Sequence, residues 1–526
     1  MKLKWTRTFA FLTLALMMAI SLSACTSDEP SGTSNSPSET GKGEADTTVA
    51  VGTTNSYLYF NPAGANQCDS FSYYMLYSVL FDVDKENGGY YSPVSDDWGW
   101  EDDTTLRITV KDGITFASGK ELDANDIWAA FMYNIECGNQ NSGKWDGFID
   151  WDNSYVTEDG KTIYLKYYDV YGGALAEIMI PILEDEFVAE HADNDEIWWN
   201  GPDGSGPYTV KETVNGSSVT YALREDYWDT SKTFDCTEIT VRYYSDANTM
   251  WVDYQNGVID AVLGLDDTQV TALQNGTVEG TLMMADTNAV PALVMNENNE
   301  YLADIEVRRA ICHAIDWTDV GDIAFGSLSA PAYSHWAATT TAYSKHEGYT
   351  YDPDLARQIL ADAGYEDGEI VLEYVAVNQT TQVRIMEAVM GYLEEVGITV
   401  NCTSVELGTA LPEYYFVGAN DLALIQPNGA NNSRDIWQII SATYNGLFVD
   451  RAISDPEYVA LVEETLGSAD QDVRDQAFRE LDDWLYENYW MPPICEVNEA
   501  WCFNSRIESF EMLNIGYDCL GNIKLA

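Results

Sequence analysis

In the second half of the chain, amphipathic helical stripes end at a glycine and give way to β-branched runs. That repeated order narrows the accessible folds more than any other feature of the sequence. Asp352-Pro353 sets an N-cap before a proline at the first helical position, Leu355 and Ile359 mark the apolar stripe, and Gly364 ends it. Met386, Val389, Met390 and Leu393 form another face that stops at Gly397, after which Ile398 to Cys402 reads as a strand. Asp304 predicts a further helix start, with Val307, Ile311, Ala314 and Ile315 inward. Val473 to Tyr486 predicts a helix that buries Ala477, Leu481, Trp484 and Leu485. Alternation of this kind implies α/β architecture. The first half reads more as strand: Val49 and Val51, then Tyr57 to Phe60 before Asn61-Pro62, and an alternating Thr105–Lys111 run turned by Asp112-Gly113. Asp123 predicts an N-cap with Asp126 at the third helical position, and Asp159-Gly160 a hairpin turn.

At 526 residues the chain exceeds one ordinary core, so two or three lobes are expected. Its 86 Asp+Glu against 26 Lys+Arg leave a formal charge of −60, yet 16 Trp, 34 Tyr and 16 Phe supply ample surface to bury. Such a charge excludes nucleic acid as a partner, because phosphate neutralisation needs clustered Lys and Arg. It also opposes adhesion to anionic headgroups, so a membrane tether must be covalent or apolar. Beyond residue 24 the apolar runs are all too short for a spanning helix.

Lys2, Lys4 and Arg7 precede a nearly apolar run from Phe9 to Ile20, the length of a signal-peptide core. Leu22-Ser23-Ala24-Cys25 resembles the bacterial lipobox. That resemblance implies cleavage after residue 24 and a lipid, palmitate among its chains, on Cys25; the alternative is an ordinary signal peptide with a chance cysteine. Thr26 to Asp46 is almost wholly polar and is expected to be a disordered leash of roughly 25 Å root-mean-square span. Of the nine cysteines, Cys312 reads as a small buried hydrophobe, and Cys495 with Cys502 as the favoured pair if any bridge forms.

Five further blocks come in a telling order. They are Leu106 to Lys111 with Gly113, Phe116 and Gly119 leading to Ala124-Asn-Asp126-Ile127; Gly204-Ser-Gly-Pro-Tyr208 with Arg224-Glu-Asp226-Tyr-Trp228; and Tyr254-Gln-Asn-Gly257-Val-Ile259-Asp260. Met295-Asn296 with Asp304 to Ala310 and Ala314-Ile-Asp316 follows, then Tyr351-Asp-Pro353 through Ala363-Gly-Tyr365. Over residues of about 50 to 515 the chain resembles the oligopeptide/dipeptide-binding family of extracytoplasmic solute-binding proteins of ABC importers. Singly, most of these residues have structural readings: turn glycines, a helix-start carboxylate at Asp126, and Arg308 paired with an acid on its own helix.

The resemblance implies an α/β, two-lobed periplasmic-binding-protein-like clamp of class II type with an extra small inserted domain. Its parts would be a signal peptide (1–24), a linker (25–46), lobe I (47–85, 205–290 and 495–526), an inserted buttress (86–204) and lobe II (291–494). Asn288–Pro291 and Trp490–Pro493 would be the crossovers, with ligand held between lobes whose closure it favours. The implied protein is an extracytoplasmic monomer, anchored to the cell membrane by lipid only and without enzymatic activity. Its partners would be a small solute and the permease and ATPase subunits of an importer.

Peptide-binding members of the family use a second-lobe carboxylate for the peptide's α-ammonium, since a buried cation needs a fixed counter-charge. In this chain that stretch carries amides instead, Gln426, Asn428, Asn431 and Asn432, followed by Asp435 and Trp437. These, with Trp251 and Asp266 of the first lobe, are the candidate ligand contacts. Amides beside aromatics suit hydroxyl-rich ligands too, so an oligosaccharide stands as an alternative to an oligopeptide. A secreted glycoside hydrolase is the remote alternative, needing two carboxylates roughly 5–10 Å apart that no pattern isolates. No cofactor or metal is expected: the four histidines (His191, His313, His335, His346) make no zinc motif, and Asp150-Trp-Asp152-Asn153 has Tyr155 where a calcium loop needs glycine.

Overall fold

Among the described residues, eight helices begin at an aspartate whose carboxylate accepts from a backbone N–H of the first turn: Asp123, Asp246, Asp266, Asp304, Asp316, Asp352, Asp455 and Asp470. Much of the acid excess therefore does local work, since the first turn of a helix has N–H groups without partners and the positive end of its dipole. The expected capping box at Asp123 is present, Asp126 returning a bond to the Asp123 N–H at 2.8 Å. The helix Pro353–Ala363 starts on Asp352 and ends on Gly364 at φ +97°, a left-handed position that glycine takes without a Cβ clash.

The structure, a computed structural model, describes residues 47–54, 60–63, 70–84, 89–137, 145, 147–191, 198, 201–406, 420–425, 453–468, 470–510 and 520–526. Cys25 and the candidates Gln426, Asn428, Asn431, Asn432, Asp435 and Trp437 lie outside the described residues. In chain order, β1 (Thr48–Thr53) comes first, and β2 (Asp82–Val83) pairs with β3 (Tyr90–Tyr91). An antiparallel sheet follows from β4 (Asp97–Asp102), β5 (Thr105–Thr109), β6 (Tyr155–Val156) and β7 (Thr162–Lys166), in the order β4-β5-β7-β6. Gly160, at φ +70°, makes the turn between β6 and β7.

Next come β8 (Tyr208–Val214), β9 (Ser218–Leu223), β10 (Glu238–Tyr243), β11 (Ala261–Leu263) and β12 (Thr281–Ala289). The chain then builds β13 (Ala292–Met295), β14 (Ser329–Ala330), β15 (Val371–Val377), β16 (Thr399–Val405) and β17 (Leu422–Ile425), and returns in β18 (Glu496–Phe503). Two main sheets result, ordered β12-β18-β11-β1-β10-β9-β8 and β13-β17-β15-β16, with β14 attached to β18. Each has its own core. Val51, Val241 and Trp501 belong to one cluster, and Leu293, Tyr374 and Val389 to another.

Two expectations are corrected. Arg308 pairs with no acid on its helix; it is buried, donates to the carbonyl oxygens of Leu302, Ala303 and Asn488, and lies 3.9 Å from the Trp490 ring centroid. Burial lowers its pKa to about 10. Cys495 and Cys502 are both free, as are Cys137, Cys236, Cys312 and Cys402. The reason is geometric: Cys495 precedes β18 and Cys502 lies near its end, so seven extended residues, about 23 Å, part them, whereas a disulfide needs Cα atoms within roughly 7 Å. Cys312 is fully buried, as expected.

The caps carry a testable weight. Asp352→Ala should lower the stability of the folded protein by about 1 kcal/mol in urea unfolding, with an unchanged m-value.

Candidate functional site

The site follows from strand direction. β10 and β11 run parallel to β1, and β12 runs the same way because both it and β11 are antiparallel to β18. β1 and β11 end level with one another at Thr53 and Leu263, opposite Trp501 of β18 and Met283 of β12. β12 continues six residues further, to Ala289, with β18 beside it. A two-stranded ribbon thus projects from the sheet by roughly 20 Å.

The second sheet meets that ribbon end-on. Ala292, three residues beyond β12, pairs with Ile425 at the carboxyl end of β17; β15 and β16 end parallel to it at Val377 and Val405. The carboxyl ends of parallel strands from both sheets therefore face each other across the ribbon. Crevices outside such ends are where open α/β sheets take ligands.

Among the described residues, three chain passages tie the sheets. Leu293 N–H donates to Pro492 O at 3.1 Å and Ile494 N–H to Pro291 O at 2.8 Å, so the outgoing and returning chains pair antiparallel around Ala292 and Pro493. The third is β14, whose Ser329 and Ala330 pair with Val497 and Glu496 of β18.

The two described candidates occupy structural positions at this rim. Asp266 caps the helix Asp267–Gln274 in a reciprocal box with Gln269. Trp251 stacks on Tyr254, 5.4 Å between centroids, against a cluster containing Met250, Ile259 and Val262. Glu499 escaped the sequence reading. It lies on the ribbon opposite Ala285, two residues from Trp501 and on the same side of its strand. It is half-buried, and burial pushes its carboxyl above the ordinary value. The signal was an acid, beside Asn498, in a strand from Val497 to Phe503 whose other residues are apolar and that leads directly out of a predicted crossover.

Among the described residues, one group has metal-like spacing: Asp126, Glu184 and Asp185. The Lys120 ammonium already stands among them, 3.2 Å from Asp126 and 2.6 Å from Glu184 and bonded to Asp185. Burial raises the Asp126 pKa to about 6, against those bonds. Two cavities are also present. One of about 240 Å³ lies beside the passages, lined by Tyr333, His346, Tyr486 and Pro493. Another of about 510 Å³, lined by Tyr74, Tyr91, Trp98, Tyr227 and Trp228 around Asp82, lies away from them.

Two sheets joined by a crossing ribbon define a two-lobed binding protein of the periplasmic-binding type. Comparison with solved structures agrees. The substrate-binding protein CtaP of Listeria monocytogenes superposes with a TM-score of 0.75 at 20% identity, covering 92% of this chain and 100% of that one. NikA of Brucella suis, solved with Fe(III)-EDTA, gives 0.79 at 18% identity, covering 91% and 100%. The sequence profile of bacterial extracellular solute-binding proteins, family 5 (middle), matches residues 93–443. The chain belongs to that family, and is thus an extracytoplasmic solute-binding component of an ABC importer rather than an enzyme. Its curated relatives include the oligopeptide-binding protein AppA of Bacillus subtilis, 26% identical over 75% of this chain and 76% of that one. The haem-binding protein A of Haemophilus influenzae is 21% identical over the whole of both.

Glu499 offers a direct check on the ribbon. A carboxyl with a raised folded pKa costs stability once ionised, and the cost vanishes below its unfolded pKa of about 4.3. Glu499→Gln should therefore raise the melting temperature at pH 7 and leave it unchanged near pH 4, as read by circular dichroism.

Proposed function

We propose that the protein captures oligopeptides between its two lobes and delivers them to the permease and ATPase subunits of an importer, while a lipid on Cys25 holds it outside the cell membrane. The ribbon carries this reading: it spaces the carboxyl ends of two sheets far enough apart for an extended chain and ties them closely enough to close on it. On this reading lobe I comprises 47–85, 205–290 and 495–526, lobe II comprises 291–494, and 86–204 buttresses lobe I. A half-buried acid at Glu499 suits the α-ammonium of a peptide, with Asp435 as a second counter-charge. Support also comes from AppA, named for oligopeptides, and from the fold shared with a dipeptide-binding protein of Pseudoalteromonas solved with Met-Leu.

Thermal unfolding against di- to hexapeptides and against α- and β-linked oligosaccharides tests the ligand class. A peptide at 100-fold excess over Kd should stabilise the fold by about 2.7 kcal/mol. Stabilisation by oligosaccharides alone overturns the peptide reading, and Asn431→Ala and Asn432→Ala should then weaken sugar binding. For the anchor, Cys25→Ser should move the protein from the detergent phase to the aqueous phase in Triton X-114 partitioning; unchanged partitioning removes the lipid from this account.

A further inference from the structure

Asp482, on the helix Gln471–Glu487, is completely buried and surrounded by donors. Ser334 Oγ lies 2.7 Å from it, the His335 backbone N–H 3.0 Å, His335 Nδ1 2.6 Å and His346 Nε2 2.9 Å. His335 is itself buried, and its other ring nitrogen, Nε2, is 3.0 Å from the carbonyl oxygen of Trp490. Both nitrogens thus face acceptors, a carboxylate on one side and a backbone carbonyl on the other. A neutral imidazole has a single N–H, so only the doubly protonated ring satisfies both.

Trp490 opens the returning passage between the lobes. The residues on either side of it, Tyr489 at φ 58° and Met491 at φ 48°, hold the left-handed backbone that residues with a Cβ rarely adopt. Such a conformation lasts only where its surroundings over-determine it. Here the Trp490 N–H donates to Leu485 O at 3.0 Å, Arg308 covers the indole, and His335 holds the carbonyl.

We infer that His335 is a positioning residue for the passage between the lobes, and that the proton it places on the Trp490 carbonyl makes that passage pH-sensitive. When the ring loses a proton, its remaining N–H stays with Asp482, because the charge-assisted bond is the stronger. The bond given up is the one to Trp490, and the strained turn loses a restraint. The inference is independent of which solute is bound.

The surrounding charges favour the protonated network. Asp483 and Glu487 from the same helix face His346, Glu347 follows it in the loop, and Glu496 of β18 bonds the Ala338 N–H nearby at 3.4 Å. Lys345, the neighbouring cation, is drawn aside over the Tyr333 ring, and Arg479 is bonded to Thr341 O. The phenols of Tyr343, Tyr349 and Tyr486 complete the surroundings. Burial, the largest effect, works to lower the His346 pKa, but the bond to Asp482 and the charges of Asp482, Asp483 and Glu487 together outweigh it and the value is raised. Burial likewise works to raise Asp482, and the bonds from His335, His346 and Ser334 hold it below the ordinary carboxylate range. The His346 contribution is complete below about pH 6.5 and is lost as pH rises through its raised value. The aspartate contribution is complete above about pH 3.9 and is lost as pH falls. The network is therefore whole between these limits and weakens on the alkaline side.

Hydrogen exchange of the ligand-free protein tests this. The amides of Leu293 and Ile494, which bridge the two passages, are scaled to the Val375 amide inside the second sheet, a ratio that cancels intrinsic base catalysis. Their protection should fall about tenfold more than that of Val375 between about pH 6 and pH 8.5. In His335→Gln the ratio should be flat across this range. Should that variant fail to fold, nitrogen-15 imidazole spectra of the unaltered protein decide: both His335 nitrogens should carry protons at about pH 6. A ring with one N–H there, or an unaltered protein whose ratio is already flat, overturns the inference. So does a folded His335→Gln that keeps the pH dependence.

Discussion

The placing of the two main sheets relative to one another depends on the pairing of two chain passages around Ala292 and Pro493. Only Leu293 to Pro492 and Ile494 to Pro291 exchange backbone bonds there, because Pro291, Pro492 and Pro493 have no N–H to offer. The pairing is strong enough to fix register between the sheets, yet the ladder is too short to behave as a stiff continuation of either. Bending at this joint disturbs two hydrogen bonds and the short β14–β18 pairing rather than a whole sheet. The ribbon below it, by contrast, is a regular antiparallel ladder from Thr281 to Asp286, so the joint sits at the end of a lever.

The local elements were legible because each rested on short-range chemistry. Asp123, Asp304 and Asp352 announced helix starts, Gly364 and Gly397 announced stops at positive φ, and alternation over Thr105–Lys111 became β5. Both passages, too, could be placed from their prolines. What the sequence hid was long-range. Arg308 looked like a helix-surface residue because its real partners, the carbonyls of Leu302, Ala303 and Asn488, are backbone atoms that leave no mark in side-chain spacing. Asp482 and His335 are 147 residues apart, and nothing in either neighbourhood predicts the other. Glu499 sat in a strand whose depth only sheet order reveals.

The candidate site was legible in a different sense. Family-like blocks pointed to the clamp fold, but most residues in those blocks, such as Asp126 and Asp260, hold the scaffold: Asp260 accepts from the Ala50 N–H, Asn504 and Arg506. Asp266 shows why acid-rich rims mislead. A carboxylate after a strand is as apt to start the next helix as to meet a ligand, and at Asp266 the Gln269 N–H takes it. Specificity in such a clamp resides in loops beyond the strand ends, where pattern-based reading has least purchase.

The unbridged cysteines have a consequence for life outside the cell. Burial pushes the thiols of Cys236, Cys495 and Cys502 up to about 12, so at neutral pH only about one in 10⁵ of each is the reactive thiolate. Sulfur this dormant neither scrambles with neighbouring chains nor depends on an oxidase or isomerase after export. None of these three buried thiols is therefore a ready target for oxidation, whether or not oxygen is present.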